Sequence, residues 1–226
     1  MTGGGARTPP PGVVLDCDGV LVDSEPLHAR ATTLWASTIG VTLRPEYFHD
    51  LIGMTVLDQV ARVVKDTGHD PTKAYHAREE LFWGLIDQLE PMAGVVELIG
   101  RLHSAGTRIA IASNGSRDYL RHVIDALKIG PMIQGFVCAD DTTRPKPDPD
   151  PYLKAAALLN LEPCLCVAVE DSGPGMTSAL AAGMSVILVS SAPSATVSVP
   201  AGVVVVADHY RAEEIFFGSS RSDEMV

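Results

Sequence analysis

Polar residues capable of chemistry stand where apolar runs stop. Val13-Val14-Leu15 ends in Asp16-Cys17-Asp18-Gly19, the run 108–112 ends in Ser113-Asn114-Gly115, and the run 165–169 ends in Glu170-Asp171-Ser172-Gly173. Between the last two lies Arg144-Pro145-Lys146-Pro147-Asp148-Pro149, a lysine on a stiff, proline-flanked segment. If these ends meet, four carboxylates, a small hydroxyl and one lysine share a crevice. Clustered carboxylates raise one another's pKa unless a cation sits among them. Oxygen-only ligands favour Mg2+, which takes one or two carboxylates, waters and a phosphate oxygen. A lysine suits a phosphate as a point charge. Together they point to phosphoryl transfer.

The ends meet only if the runs are neighbouring parallel strands, because ligands bind outside the carboxyl ends of such strands. The chain beyond residue 90 alternates in that manner. Helical periodicity over 95–102 leads to a strand at 108–112, and a helix at 117–127 to a strand at 136–138. A helix at 152–159 leads to a strand at 165–169, and one at 176–182 to a strand at 186–189, with an edge strand at 203–206. Repeated helix and strand predict right-handed crossovers and an α/β fold with a Rossmann-like parallel sheet. Residues 25–90 break the scheme: Leu27, Ala31, Leu34 and Trp35, then Val56, Val60 and Val63, then Leu81, Leu85, Ile86 and Leu89 recur at helical spacing. The expected organisation is a flexible tail at 1–12, a core domain at 13–24 and 91–217, an inserted all-helical cap at 25–90, and a C-terminal tail at 218–226.

Composition narrows the partners. Net charge is -11, from 17 Lys+Arg against 28 Asp+Glu, a balance that repels nucleic-acid phosphates. No apolar run approaches the roughly 20 residues of a membrane span. Cys17, Cys138, Cys164 and Cys166 lack zinc or redox spacing and are expected as buried thiols. With no apolar leader in the Gly- and Pro-rich N-terminal segment, the expected setting is cytoplasmic. The sequence carries no signal for an oligomeric state.

The segment Asp16-Cys17-Asp18-Gly19-Val20-Leu21-Val22-Asp23-Ser24-Glu25 resembles the first motif of the haloacid dehalogenase (HAD) superfamily. Ser113-Asn114 resembles its second, Lys146 its third, and Glu170-Asp171-Ser172 with Gly175 its fourth. Asp23 to His28, followed by a helical insertion, is similar to the β-phosphoglucomutase-like branch with a cap after motif one. The resemblance implies the HAD fold and a role for each matched residue. Asp16 is then the nucleophile. Asp18 is general acid and then base, with its main-chain carbonyl on the metal. Lys146 neutralises Asp16 and the phosphate, and Ser113 with Asn114, beside Gly19, holds the phosphoryl oxygens. Asp16, Asp18, Glu170 and Asp171 form the Mg2+ set. His28 corresponds to a hinge histidine. Cys17, beside the nucleophile, is expected to point away from the chemistry.

The same resemblance bears on the reaction. The mutases of this branch carry a cap arginine shortly after a glycine such as Gly53, and here Val56 stands in that place. This favours hydrolysis of a small phosphomonoester, a sugar phosphate or phosphoglycolate-like acid, over a β-phosphoglucomutase-type isomerisation. A non-catalytic binding module on the same fold is a further alternative. Glu25, His28, Thr55, Arg78 and Arg117 are the polar candidates for contacting the substrate.

Overall fold

The computed structural model describes residues 8–44, 56–65, 67–190 and 200–218. Gly53, Thr55 and most of both expected tails lie outside them. The chain divides into two compact units, Met1–Val22 with Pro91–Val226, and Asp23–Glu90.

In chain order the strands are β1 (Gly12–Leu15), β2 (Val22–Asp23), β3 (Glu90–Pro91), β4 (Arg108–Ala112), β5 (Gly135–Val137), β6 (Cys166–Glu170), β7 (Ser185–Val189) and β8 (Val203–Val206). The α-helices are α1 (Glu25–Thr38), α2 (Val56–Val64), α3 (Pro71–Leu85), α4 (Val95–Ser104), α5 (Arg117–Leu127), α6 (Asp150–Leu158), α7 (Gly173–Ala181) and α8 (His209–Phe217). A six-stranded sheet runs β5-β4-β1-β6-β7-β8, and every pair in it is parallel. The short strands β2 and β3, which the periodicity does not reveal, pair with each other.

Burial on both faces accounts for the unbroken apolar strands. Val14, Ala110 and Ala168 turn one way and pack with Tyr152 and Ala155 of α6 and Met176 and Ala179 of α7. Val13, Leu15, Ile109 and Ile111 turn the other way and are equally shut from solvent. Register sets the functional end of the sheet. Leu15 of β1 lies level with Ile111 of β4 and Val169 of β6, so the next residues, Asp16 and Glu170, emerge side by side.

The second unit packs α1, α2 and α3 around Trp35, Ala36, Val60, Val63, Val64 and Ala74. Asp70 accepts from the Lys73 amide at 2.9 Å and starts α3, with Pro71 at the first position. Three cysteines are buried as expected, but Cys164 is exposed, on a 3-10 turn that ends before β6 begins. No helix among the described residues is long and apolar enough to cross a membrane.

Candidate active site

The end of β1 delivers Asp16, whose amide bonds the Val169 carbonyl at 3.0 Å and so fixes it against β6. Lys146 reaches in from its proline-flanked segment: its Nζ stands 2.7 Å from Asp16 Oδ1 and 2.6 Å from Glu170 Oε1. Asn114 holds that segment in place. Its Oδ1 accepts from the Lys146 amide at 3.0 Å, and its Nδ2 donates to the Lys146 carbonyl at 3.4 Å. The carboxamide expected to face a phosphoryl group is thus spent on the lysine backbone.

Glu170 is 0% exposed and the most heavily bonded group of the set. Oε1 accepts from Lys146 and from Tyr152 Oη at 2.6 Å, while Oε2 accepts from Ser172 Oγ at 2.9 Å and from the amides of Asp171 and Ser172. Five donors on one carboxylate identify it as the counter-charge to Lys146 and the anchor of the turn after β6. Ser172, not an acidic residue, caps α7 by accepting from the Gly175 amide at 3.1 Å. Asp171 is therefore not consumed in capping.

Two glycines record how closely the carboxylates approach the backbone. A Cβ on Gly19, which also has φ +72°, would stand 2.0 Å from Asp171 Oδ2, and one on Gly175 would stand 1.8 Å from Glu170 Oε1. Asp16, Glu170 and Asp171 each place an oxygen within 4.8 Å of the others. Asp18 stands outside this group, its Oδ1 accepting from Tyr119 Oη at 2.6 Å.

The electrostatics follow from crowding. Burial, reinforced by the charge of Glu170 and opposed by Lys146, drives the Asp16 carboxyl well above its ordinary range. Burial and Glu170 push Asp171 up to about 7. Burial alone would lower Lys146, yet Asp16 and Glu170 together hold it above its usual value, so it stays an ammonium. When all three are ionised, the carboxylates exceed the one ammonium by two charges, an excess that a divalent cation would relieve. All the donors are oxygens, and that set suits Mg2+.

Ser113 is buried at the end of β4. Its amide bonds the Val137 carbonyl at 3.0 Å and its Oγ accepts from Gly115 at 2.9 Å, whereas Ser116 caps α5. Two of the expected substrate contacts have different employment. Arg117 is paired with Asp141 and lies over the Phe136 ring. Arg78, in the second unit, is 0% exposed. It donates to Thr32 Oγ1 at 3.2 Å, Glu79 Oε1 at 2.6 Å and the His28 carbonyl at 3.0 Å, and its Nη2 lies 2.7 Å from His28 Nδ1. Because arginine can only donate, Nδ1 of His28 must be the acceptor and Nε2 the protonated nitrogen. The ring is stacked on Phe82. Arg78 is thus an internal strut and not a free contact, while Glu25 is the exposed first residue of α1.

Tyr119 and Tyr152 are the residues that sequence reasoning missed. Each sits on a helix at an apolar-periodic position, where an aromatic reads as core.

This chain matches the haloacid dehalogenase-like hydrolase family over residues 10–183. It is 36% identical over 193 residues to hexitol phosphatase A of Escherichia coli, covering 82% of this chain and 85% of that one. It is 31% identical over 192 residues to the protein CbbY of Rhodobacter capsulatus, covering 79% and 85%. The crystal structure of CbbY from Rhodobacter sphaeroides in complex with phosphate shares the fold, with a TM-score of 0.73 at 23% identity over 88% of this chain and 94% of that one. With the motif order, the parallel sheet and these relatives in agreement, the chain belongs to the haloacid dehalogenase-like hydrolases.

Proposed function

We propose that this enzyme is a Mg2+-dependent phosphatase that hydrolyses a small phosphomonoester through an aspartyl-phosphate on Asp16. The observation that carries the reading is the Asp16–Lys146–Glu170 row. It buries a carboxylate at a strand end, orients it by an ammonium, and leaves negative charge over for a cation. Asp16 and Asp171, with the main-chain carbonyl of Asp18, would hold Mg2+. Glu170, its oxygens already engaged, supplies charge behind them. When bound, Mg2+ offsets the repulsion between the Asp16 carboxylate and the phosphate.

An Asp16 oxygen forms a bond to phosphorus as the bond to the ester oxygen breaks, and Asp18 gives its proton to the departing oxygen. Asp18 then takes a proton from water as that water attacks phosphorus. The bond to Asp16 breaks, and inorganic phosphate leaves. Ser113 Oγ and the main-chain N–H of Asn114 would donate to phosphoryl oxygens, while Lys146 would offset charge as it builds.

Hydrolysis is preferred to isomerisation because Val56 opens α2 and packs against the apolar centre of the second unit, offering no cation for a second phosphate. A relative named hexitol phosphatase supports a sugar or sugar-alcohol phosphate as the substrate class.

The test is phosphate release from a panel of hexitol, hexose and pentose phosphates and phosphoglycolate. Activity should vanish with EDTA, return with Mg2+, and be absent in Asp16→Asn. Undiminished turnover by Asp16→Asn would overturn the proposal. So would conversion of β-glucose 1-phosphate, primed with a bisphosphate, to glucose 6-phosphate without phosphate release.

A further inference from the structure

We infer that Tyr119 is a positioning residue for Asp18, fixing the carboxylate that protonates the leaving group; this rests on the acid role proposed above. The main chain around Asp18 is already stiff. Gly19 N bonds Val22 O at 2.8 Å, and Leu21 N and Val22 N bond Cys17 O at 2.7 and 3.1 Å. Backbone bonds do not set a side-chain torsion, however. Asp18 does not share the close cluster of Asp16, Glu170 and Asp171, and its side-chain anchor is the Tyr119 hydroxyl. At 2.6 Å that contact lies at the short end of the range for bonds between a hydroxyl and a carboxyl oxygen.

The phenol is itself held. Tyr119 is buried in the first turn of α5, its amide donates to Ser116 Oγ, and the same end of the helix is tied down by the Arg117 amide bonding Asp140 Oδ2 at 2.9 Å. Fixing one oxygen of Asp18 fixes the plane of the carboxylate and therefore the direction in which the other presents a proton. A displacement near 1 Å in such a group costs on the order of 100-fold in rate. Nothing in the tyrosine ring need touch the substrate.

The discriminating experiment uses leaving groups. The parameter kcat/KM covers steps only up to departure of the leaving group. A p-nitrophenolate leaves without a proton, whereas a sugar-alcohol oxygen does not. In the full-length protein with Mg2+, Tyr119→Phe should lower kcat/KM at least about tenfold on the best alkyl phosphate of the panel. On p-nitrophenyl phosphate it should stay within about twofold of the parent, with the melting temperature nearly unchanged. Asp18→Asn, assayed alongside, should show the same selectivity, larger. Selectivity in Asp18→Asn but not in Tyr119→Phe would overturn the tyrosine's role alone. Absence of selectivity in Asp18→Asn would sink the acid assignment and this inference with it. Equal losses on both esters, or a Tyr119→Phe protein that does not fold, would assign the hydroxyl to the fold and overturn the inference.

Discussion

Lys146 and Arg78 are both cations shut away from water, but their company differs. Lys146 lies between two buried carboxylates with a third close by. Arg78 lies among neutral acceptors, the Thr32 hydroxyl, the His28 carbonyl and the His28 ring, with one partly exposed carboxylate, Glu79. The consequences for the two cations run in opposite directions. Carboxylates hold Lys146 above its ordinary pKa in spite of burial, whereas burial pulls Arg78 below its own and Glu79 only partly opposes it. The first arrangement leaves excess negative charge, and so suits a further cation. The second is close to neutral, and each nitrogen of its guanidinium has an acceptor, so it carries no excess charge. A buried cation marks chemistry where its counter-charges outnumber it.

The strongest test of this contrast is Lys146→Met. Asp16 and Glu170 would then face each other without a cation, and removing one partner of a buried ion pair costs about 3–5 kcal/mol. Phosphatase activity should fall about 100- to 1000-fold, the scale of losing a charge-stabilising group. Steady-state kinetics and thermal melting check both. Near-parental turnover would show that the lysine is structural.

Arg78→Met should do the reverse, harming stability more than chemistry. It removes the arginine N–H groups from Thr32 Oγ1, His28 Nδ1 and the His28 carbonyl, the last of which keeps the Thr32 hydroxyl as a donor, a loss of about 2–3 kcal/mol from bonds to a charged group. In a chain of this size that lowers the melting temperature by about 4–12 °C. Turnover of p-nitrophenyl phosphate should fall less than about tenfold. A melting curve unchanged by Arg78→Met, with activity lost, would make Arg78 a substrate contact after all.

The same contrast explains what the sequence discloses. Asp16, Asp18, Ser113, Lys146 and Asp171 are conspicuous because each is a polar residue at the abrupt end of an apolar run or between prolines. Parallel-sheet geometry then requires those ends to meet. The alternation of helix and strand likewise dictates the sheet, since a doubly covered strand must be apolar on both faces. Arg78 is illegible for the opposite reason. On a helix rich in charged and polar residues it reads as a side chain available to a substrate, and its burial depends on Thr32 and His28, 46 and 50 positions away, to which periodicity along α3 is blind. Tyr119 and Tyr152 are hidden because an aromatic at an apolar-periodic position packs as core whether or not its hydroxyl does work. The division of labour within the carboxylates is also hidden: only the donors around Glu170 distinguish it from Asp171.

His209 completes the series as a buried basic group without a carboxylate of its own against its ring. It opens α8 with Asp208 as the cap; its ring bonds the backbone at Val20, and its Nε2 has no hydrogen-bond partner among the described residues. Burial, set against Val20 and the charge of Asp208, holds its pKa below 6.5 in the folded chain. As pH drops through about 6.5, the unfolded chain takes up a proton that the folded chain refuses. Stability therefore rises with pH across this window and is lost on the acid side. His209→Asn, which can still donate toward Val20, should flatten that part of the dependence and have the smallest effect of the three at pH 8. Melting temperatures of the two proteins between pH 5 and 8 measure it, the other histidines being common to both. A parallel pair of curves would mean that His209 is charged inside the fold, and that a buried cation there needs no counter-charge, contrary to the rule drawn from Lys146 and Arg78.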